Sequence, residues 1–234
     1  MMDKKRTLLM IGLLFVLIPA TIYGGITFLD DRKYFFISML LVIYSMVPFF
    51  IAFEGKKPQA RELILVAVLT AIAVAGRLAF FMVPQLKPVI AIIVIAGVCF
   101  GGEVGFLVGA MTAFVTAFFF GQGPFVPWQM LSLGIIGFLA GILGKKGILK
   151  SSRSLALFGG LAAFFIYGSI MDFCSVIMWT QEISWELIVT TYVAGFLFNL
   201  AHATATVVFL LLIGKPMIRK LERVKGKYGL YLFR

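Results

Sequence analysis

The sequence predicts an all-α integral membrane protein: a compact six-helix bundle preceded by an extra two-helix N-terminal hairpin, about eight spans in all. Three observations carry this. At 62% hydrophobic and 13% charged, the 234-residue chain is too apolar for a soluble domain. Its apolar residues fall in continuous runs close to the roughly 20 residues that a spanning helix needs. Those runs do not alternate as the strands of an outer-membrane barrel would, which excludes that class.

The runs lie near 7–29, 34–53, 62–83, 88–101, 104–120, 128–144, 154–178 and 186–214. The first follows MMDKKR, as a secretory signal would. It is too long for such a signal's apolar core, however, and has no small-residue cleavage site before Asp30 and Asp31, so it is expected to be retained. It forms, with the second, a hairpin over 1–53 built from Leu, Ile, Phe and Met. The polar stretch 54–61, EGKKPQAR, is the natural internal boundary, a cytoplasmic linker. Composition then turns Gly- and Ala-rich through a membrane domain over 62–214. Its fourth and fifth runs are short and closely spaced. Gly97, Gly101, Gly105 and Gly109 recur every four residues, as do Gly134, Gly137, Gly141 and Gly144 less strictly, which suits helices whose backbones pack closely. The tail, 215–234, reads as a short basic helix lying on anionic lipid.

Charge orients the chain. Seventeen of its 21 Lys and Arg lie in the two termini, the linker and the segment from Lys145 to Arg153, so these are cytoplasmic. Arg32, Lys33 and Lys87 fall outside, and Arg77 lies within a span. The net charge of +11 is therefore accounted for by topology and lipid headgroups, and no nucleic-acid partner is implied.

Intramembrane polar residues are costly and mark function. Here they gather toward the outer half: Arg77, Gln85 and Lys87 around the turn 84–88, Gln122, Trp128 and Gln129 on the tip 118–129, and Asp172 and Asn199 on the last two spans. The tip, FFFGQGPFVPWQ, carries two prolines, two glutamines and a tryptophan, so it is stiff and can both stack and hydrogen-bond. Stiffness lowers the entropy lost on gripping a ligand. This describes a site open to the outside and not a channel. Arg77 and Asp172 invite a charge pair, either as a structural tie or with ligand contact in addition. Lys87 can equally snorkel, Trp128 and Trp179 can equally be interfacial belt residues, and His202 reads as a satisfied buried histidine. One His and two separated Cys, Cys99 and Cys174, give neither a metal site nor a disulfide, and no cofactor is expected. Catalysis is disfavoured too: HExxH, GxSxG and P-loop motifs are missing, and Asp172 is the one clear intramembrane carboxylate.

From Arg61 to about Gly214 the chain resembles the substrate-binding subunit, or S component, of energy-coupling factor (ECF) vitamin transporters. The resemblance rests on Ala67, Ala71 and Ala75, which match the small-residue AxxxA motif of the first core helix. It rests also on the stretches from Gly76 through Pro84–Val89 to Gly101–Ala110, and on Phe119–Met130 followed by Gly137–Gly141. AxxxA alone is weak; the combination is specific. It implies a multi-pass cell-membrane subunit that binds a vitamin from outside. That subunit docks through the Ala67, Ala71 and Ala75 face on a transmembrane coupling subunit driven by two ATP-binding subunits, and itself hydrolyses nothing. The GQGP and PWQ tip is most similar to corrinoid-associated members, making cobalamin the first expectation. Riboflavin, thiamin precursors and queuosine precursors suit the same residues. The extra hairpin departs from the six-helix pattern. A self-sufficient secondary transporter and a membrane assembly factor are the competing readings.

Overall fold

Residues 8, 11–28, 36–38, 40, 41, 43, 44, 47, 60–179 and 183–229 are described in the computed structural model of the chain. The expected span 34–53 and linker 54–61 thus fall largely outside them. Among the described residues there is no strand. A π-wound turn, Leu13–Leu17, leads into α1, Ile18–Phe28. Then come α2 (Ala60–Ala79), α3 (Val89–Phe100), α4 (Gly102–Phe120) and α5 (Val126–Lys145). α6 (Ser152–Leu161) continues through a π-wound segment, Ala162–Gly168, into α7 (Ser169–Trp179), and α8 runs from Trp185 to Tyr228. By length and hydropathy α4, α5, Ser152–Met178 and α8 can each cross a membrane.

The centre of the bundle is α3. At 12 residues it is about 18 Å long, short of the roughly 30 Å hydrocarbon core. Eleven of its residues are buried, as expected of a helix apolar all round. The expected fourth span is therefore a core helix enclosed by α2, α4, α5 and α8. Gly101, at φ +98°, turns the chain directly into α4 in a conformation open to glycine.

The two glycine sets interlock. A Cβ on Gly137 would strike the Gly105 carbonyl, and one on Gly105 or Gly97 would strike the Gly137 carbonyl. A Cβ on Gly109 would strike the Leu133 carbonyl, and one on Gly141 the Gly102 amide. α4 and α5 therefore lie backbone to backbone, with Phe106 seated over Gly134. In a membrane, where association rests on van der Waals packing, such contact replaces the hydrophobic drive available in water.

The N-terminal residues are part of this packing. Ile18, Ile37 and Leu41 share a buried cluster with Phe106, Trp128, Phe138, Cys174 and Ile177. At the opposite end the expected separate tail is instead the continuation of α8, a helix of 44 residues. Met217, Ile218, Leu221 and Val224 recur at helical spacing and pack on the main core. Lys225 Nζ donates to the Cys99 carbonyl at 2.8 Å, satisfying one of the open acceptors at the end of α3. The tail thus caps the bundle through a core-facing stripe and Lys225, while Arg219, Lys220, Glu222, Arg223 and Lys227 are exposed. α8 ends at Gly229, which is left-handed with φ +59°.

Candidate functional site

Arg77 stands in the last turn of α2 and joins three helices. Its Nη1 donates to Thr116 Oγ1 on α4 at 2.8 Å. Both Nη1 and Nη2 approach Gln129 Oε1 on α5, at 3.4 and 3.3 Å. Thr116 can serve as acceptor because its own hydroxyl proton goes back to the Thr112 carbonyl, 2.8 Å away. The guanidinium carbon lies 5.1 Å from the centroid of the Phe120 ring, and Lys87 Nζ lies 5.6 Å from the same centroid. Two cations thus flank one aromatic ring, within the range of cation–π attraction. Burial, and then the neighbouring Arg77 charge, lower the Lys87 pKa from its ordinary value.

The turn that delivers Lys87 is strained. Gln85 has φ +58°, the one non-glycine residue above zero among those described. The Leu86 amide donates to the Pro84 carbonyl at 2.8 Å and the Lys87 amide to the Gln85 carbonyl at 3.0 Å, two successive three-residue turns between prolines. The first, centred on Gln85, has the uncommon strained sign, and strain of this kind collects at ligand clamps.

Other expected site residues separate from this hub. Gln122 is exposed on the tip between Gly121 and Gly123. Trp128 is 1% exposed, lies in the cluster shared with the N-terminal residues and stands edge-on to Phe173. Its indole N–H donates to Ser38 Oγ at 3.2 Å, and Ser38 donates to the Pro124 carbonyl at 3.0 Å. Ser38 thereby ties the N-terminal segment to both ends of the PFVPW stretch.

The expected charge pair between Arg77 and Asp172 does not form. Arg77 is satisfied by neutral oxygens, and Asp172 Oδ2 accepts instead from Asn199 Nδ2 at 2.7 Å. Glycines make this second pair fit. A Cβ on Gly195 would lie 2.5 Å from Asp172 Oδ1, and one on Gly168 would lie 2.6 Å from Asn199 Cγ. The pair lies on the wall of a mostly apolar groove of about 480 Å³ between the α6–α7 helix and α8, bounded also by Phe164, Ser169, Tyr192 and Phe196.

His202 also departs from expectation. It is 4% exposed, and its Nε2 is buried with no hydrogen-bond partner among the described residues. Its ring stands edge-on to Tyr167, with centroids 5.0 Å apart. Sequence reasoning missed Thr116, Phe120 and Tyr167 as neighbours of the polar set. Thr112 and Thr116, one turn apart on an otherwise apolar helix, could have signalled the first.

Ala67, Ala71 and Ala75 lie along one exposed face of α2, bordered by the exposed Ile64, Val68 and Ile72. Nothing in the described chain covers that stripe.

Residues 57–219, more than two thirds of the chain, match the family described as ECF-type riboflavin transporter, S component. Among curated proteins, a UPF0397 protein of Vibrio atlanticus is 36% identical over 89 residues, 36% of this chain and 48% of the relative. A UPF0397 protein of Aliivibrio salmonicida is 35% identical over 98 residues, 38% and 53% of the two. The chain spans about half the length of these relatives. No solved structure matches it significantly. Matched over residues 57–219, this all-helical chain belongs to the ECF-type riboflavin transporter S component family.

Proposed function

We propose that the chain captures a vitamin at the outer face of the cell membrane and is the substrate-binding subunit of an ATP-driven ECF transporter. The observation that carries this is the Arg77 hub. A fixed guanidinium and a neighbouring ammonium flank Phe120 at the tip end, with Gln129 and Thr116 holding the arginine in place. Two positive groups with no carboxylate beside them among the described residues favour a ligand rich in acceptors, and an aromatic ring favours a planar one. A carbonyl-bearing ring system such as that of riboflavin, the vitamin in the family's name, meets both demands. Gln85 and Gln122 supply rim amides, and the strained Pro84–Pro88 turn serves as a lid over the ring. A corrinoid is the second reading, favoured by these same amides. Trp128 of the PWQ tip, from which that reading starts, is buried and engaged by Ser38.

Transport itself is assigned to partners. The exposed stripe of Ala67, Ala71 and Ala75 docks on a transmembrane coupling subunit, and two ATP-binding subunits supply the energy. The Asp172–Asn199 pair holds α7 and α8 together beside the site. Mass spectrometry of the small molecule retained on the chain after purification from a vitamin-replete host tests the assignment. A retained flavin supports it, a retained corrinoid selects the second reading, and a chain empty under all conditions contradicts both.

A further inference from the structure

The groove of about 480 Å³ between the α6–α7 helix and α8 is separate from the Arg77 hub, none of whose side chains lines it. Its volume falls within the usual range of a small-ligand site, roughly 300–1,000 Å³. Asp172 is the one charged side chain on its wall, and the residues around the Asp172–Asn199 pair are mostly aromatic or aliphatic. Val189, Val193 and Phe196 along its α8 edge are exposed. On a helix that crosses the membrane such residues meet acyl chains, so the groove opens sideways into the bilayer.

The carboxylate in this groove is incompletely matched. Asp172 Oδ2 accepts from Asn199 Nδ2 at 2.7 Å, but no Lys or Arg among the described residues pairs with Asp172, and none of those residues donates to its Oδ1. The Tyr192 hydroxyl, another donor on the wall, is engaged by the Ser169 carbonyl at 3.0 Å. A carboxylate facing lipid without a cation is costly, and the charge selects a cationic donor as its partner. Depth narrows the choice. Phe173, the next residue, stands edge-on to Trp128 in the first turn of α5, the turn that follows the outer tip. Asp172 therefore sits near the outer end of the bundle, close to the level of lipid headgroups. Phe164, two turns further in along the same helix, packs edge-on against Phe196 with centroids 5.5 Å apart, an apolar floor beneath the carboxylate. Negative charge toward the headgroups and aromatic rings toward the acyl chains complement an amphipathic molecule with an ammonium head.

We infer that this groove binds one outer-leaflet phospholipid with a primary ammonium headgroup, its ammonium on Asp172 and its acyl chain along Phe196 and Phe164. Such a lipid site stands apart from vitamin capture, whichever vitamin the hub takes.

The test titrates the full chain in detergent with phosphatidylethanolamine, phosphatidylcholine and phosphatidylglycerol, counting retained lipid by native mass spectrometry. Phosphatidylethanolamine is expected to occupy one site at about tenfold lower concentration than the other two, because neither of those offers a charged N–H donor. Asp172→Asn keeps the shape and an acceptor for Asn199 but removes the charge, and is expected to abolish that preference. Val193→Trp fills the groove, leaves the carboxylate in place and is expected to weaken phosphatidylethanolamine retention about tenfold. Equal retention of the three lipids by the wild type would overturn the inference, as would an unchanged preference in Asp172→Asn. Should Asp172→Asn not fold, Val193→Trp decides, and undiminished retention there counts against the site. Displacement of the lipid by riboflavin would assign the groove to the vitamin instead and would equally overturn it.

Discussion

At the scale of single residues, the site is organised by what satisfies Arg77. A charge in the outer part of a bundle is tolerated when its donors are met, and here Thr116 and Gln129 meet them. Gln129→Ala leaves the guanidinium half-paired and free to swing off Phe120. The expected outcome is weaker vitamin binding by about 1–3 kcal/mol in calorimetry, with the melting temperature little changed. Trp128→Ala should behave in the opposite way. The indole fills the second core cluster and meets Ser38, so its loss is expected to cost about 3–5 kcal/mol of stability and show first in thermal unfolding. Polar residue type and rough depth identified Arg77, Gln129, Asp172 and Asn199 as the residues to watch. Their pairing was not legible, because it depends on which helix faces which. The sequence offers Arg77 and Asp172 as the obvious opposite charges, whereas helix packing sets each beside a neutral amide.

At the scale of elements, glycine spacing proved the most readable signal. The sets at 97–109 and 134–144 marked close packing, and the structure interlocks them across α3, α4 and α5. Gly137→Ala would push a methyl group into the Gly105 carbonyl, where rigid backbone cannot yield. Destabilisation of about 1–3 kcal/mol or more is expected, read as a lowered melting temperature. Two elements escaped the sequence for physical reasons. Hydropathy stops where charge begins, so the sequence pattern ends this span at Gly214, although the apolar stripe of α8 continues to Val224 against the core. The π-wound segment carries no proline, and glycine recurs too often along this chain for Gly168 to announce it. The described N-terminal residues gain a role at this scale through Ser38. They brace the tip that carries Gln129, so Ser38→Ala is expected to lower vitamin affinity modestly without preventing folding, as calorimetry on the purified variant would show.

At the scale of the whole molecule, the chain divides its surfaces. One end holds the polar site, the other is capped by the basic extension of α8, and the flank of α2 presents a small-residue stripe that none of the described residues covers. Ala71→Leu adds bulk to that stripe without touching the Arg77 hub. It is expected to reduce recovery of the coupling and ATP-binding subunits in co-purification while leaving vitamin affinity intact. That separation of binding from docking is what distinguishes a substrate-binding subunit from a self-sufficient transporter. The most direct measurement is calorimetric titration of the isolated chain, without partner subunits or ATP, with riboflavin, comparing wild type and Arg77→Ala. The account expects tight one-to-one binding by the wild type, and binding at least tenfold weaker in the variant, about 1.4 kcal/mol or more. Failure of the isolated wild-type chain to bind, or equal affinity in the two proteins, would contradict it.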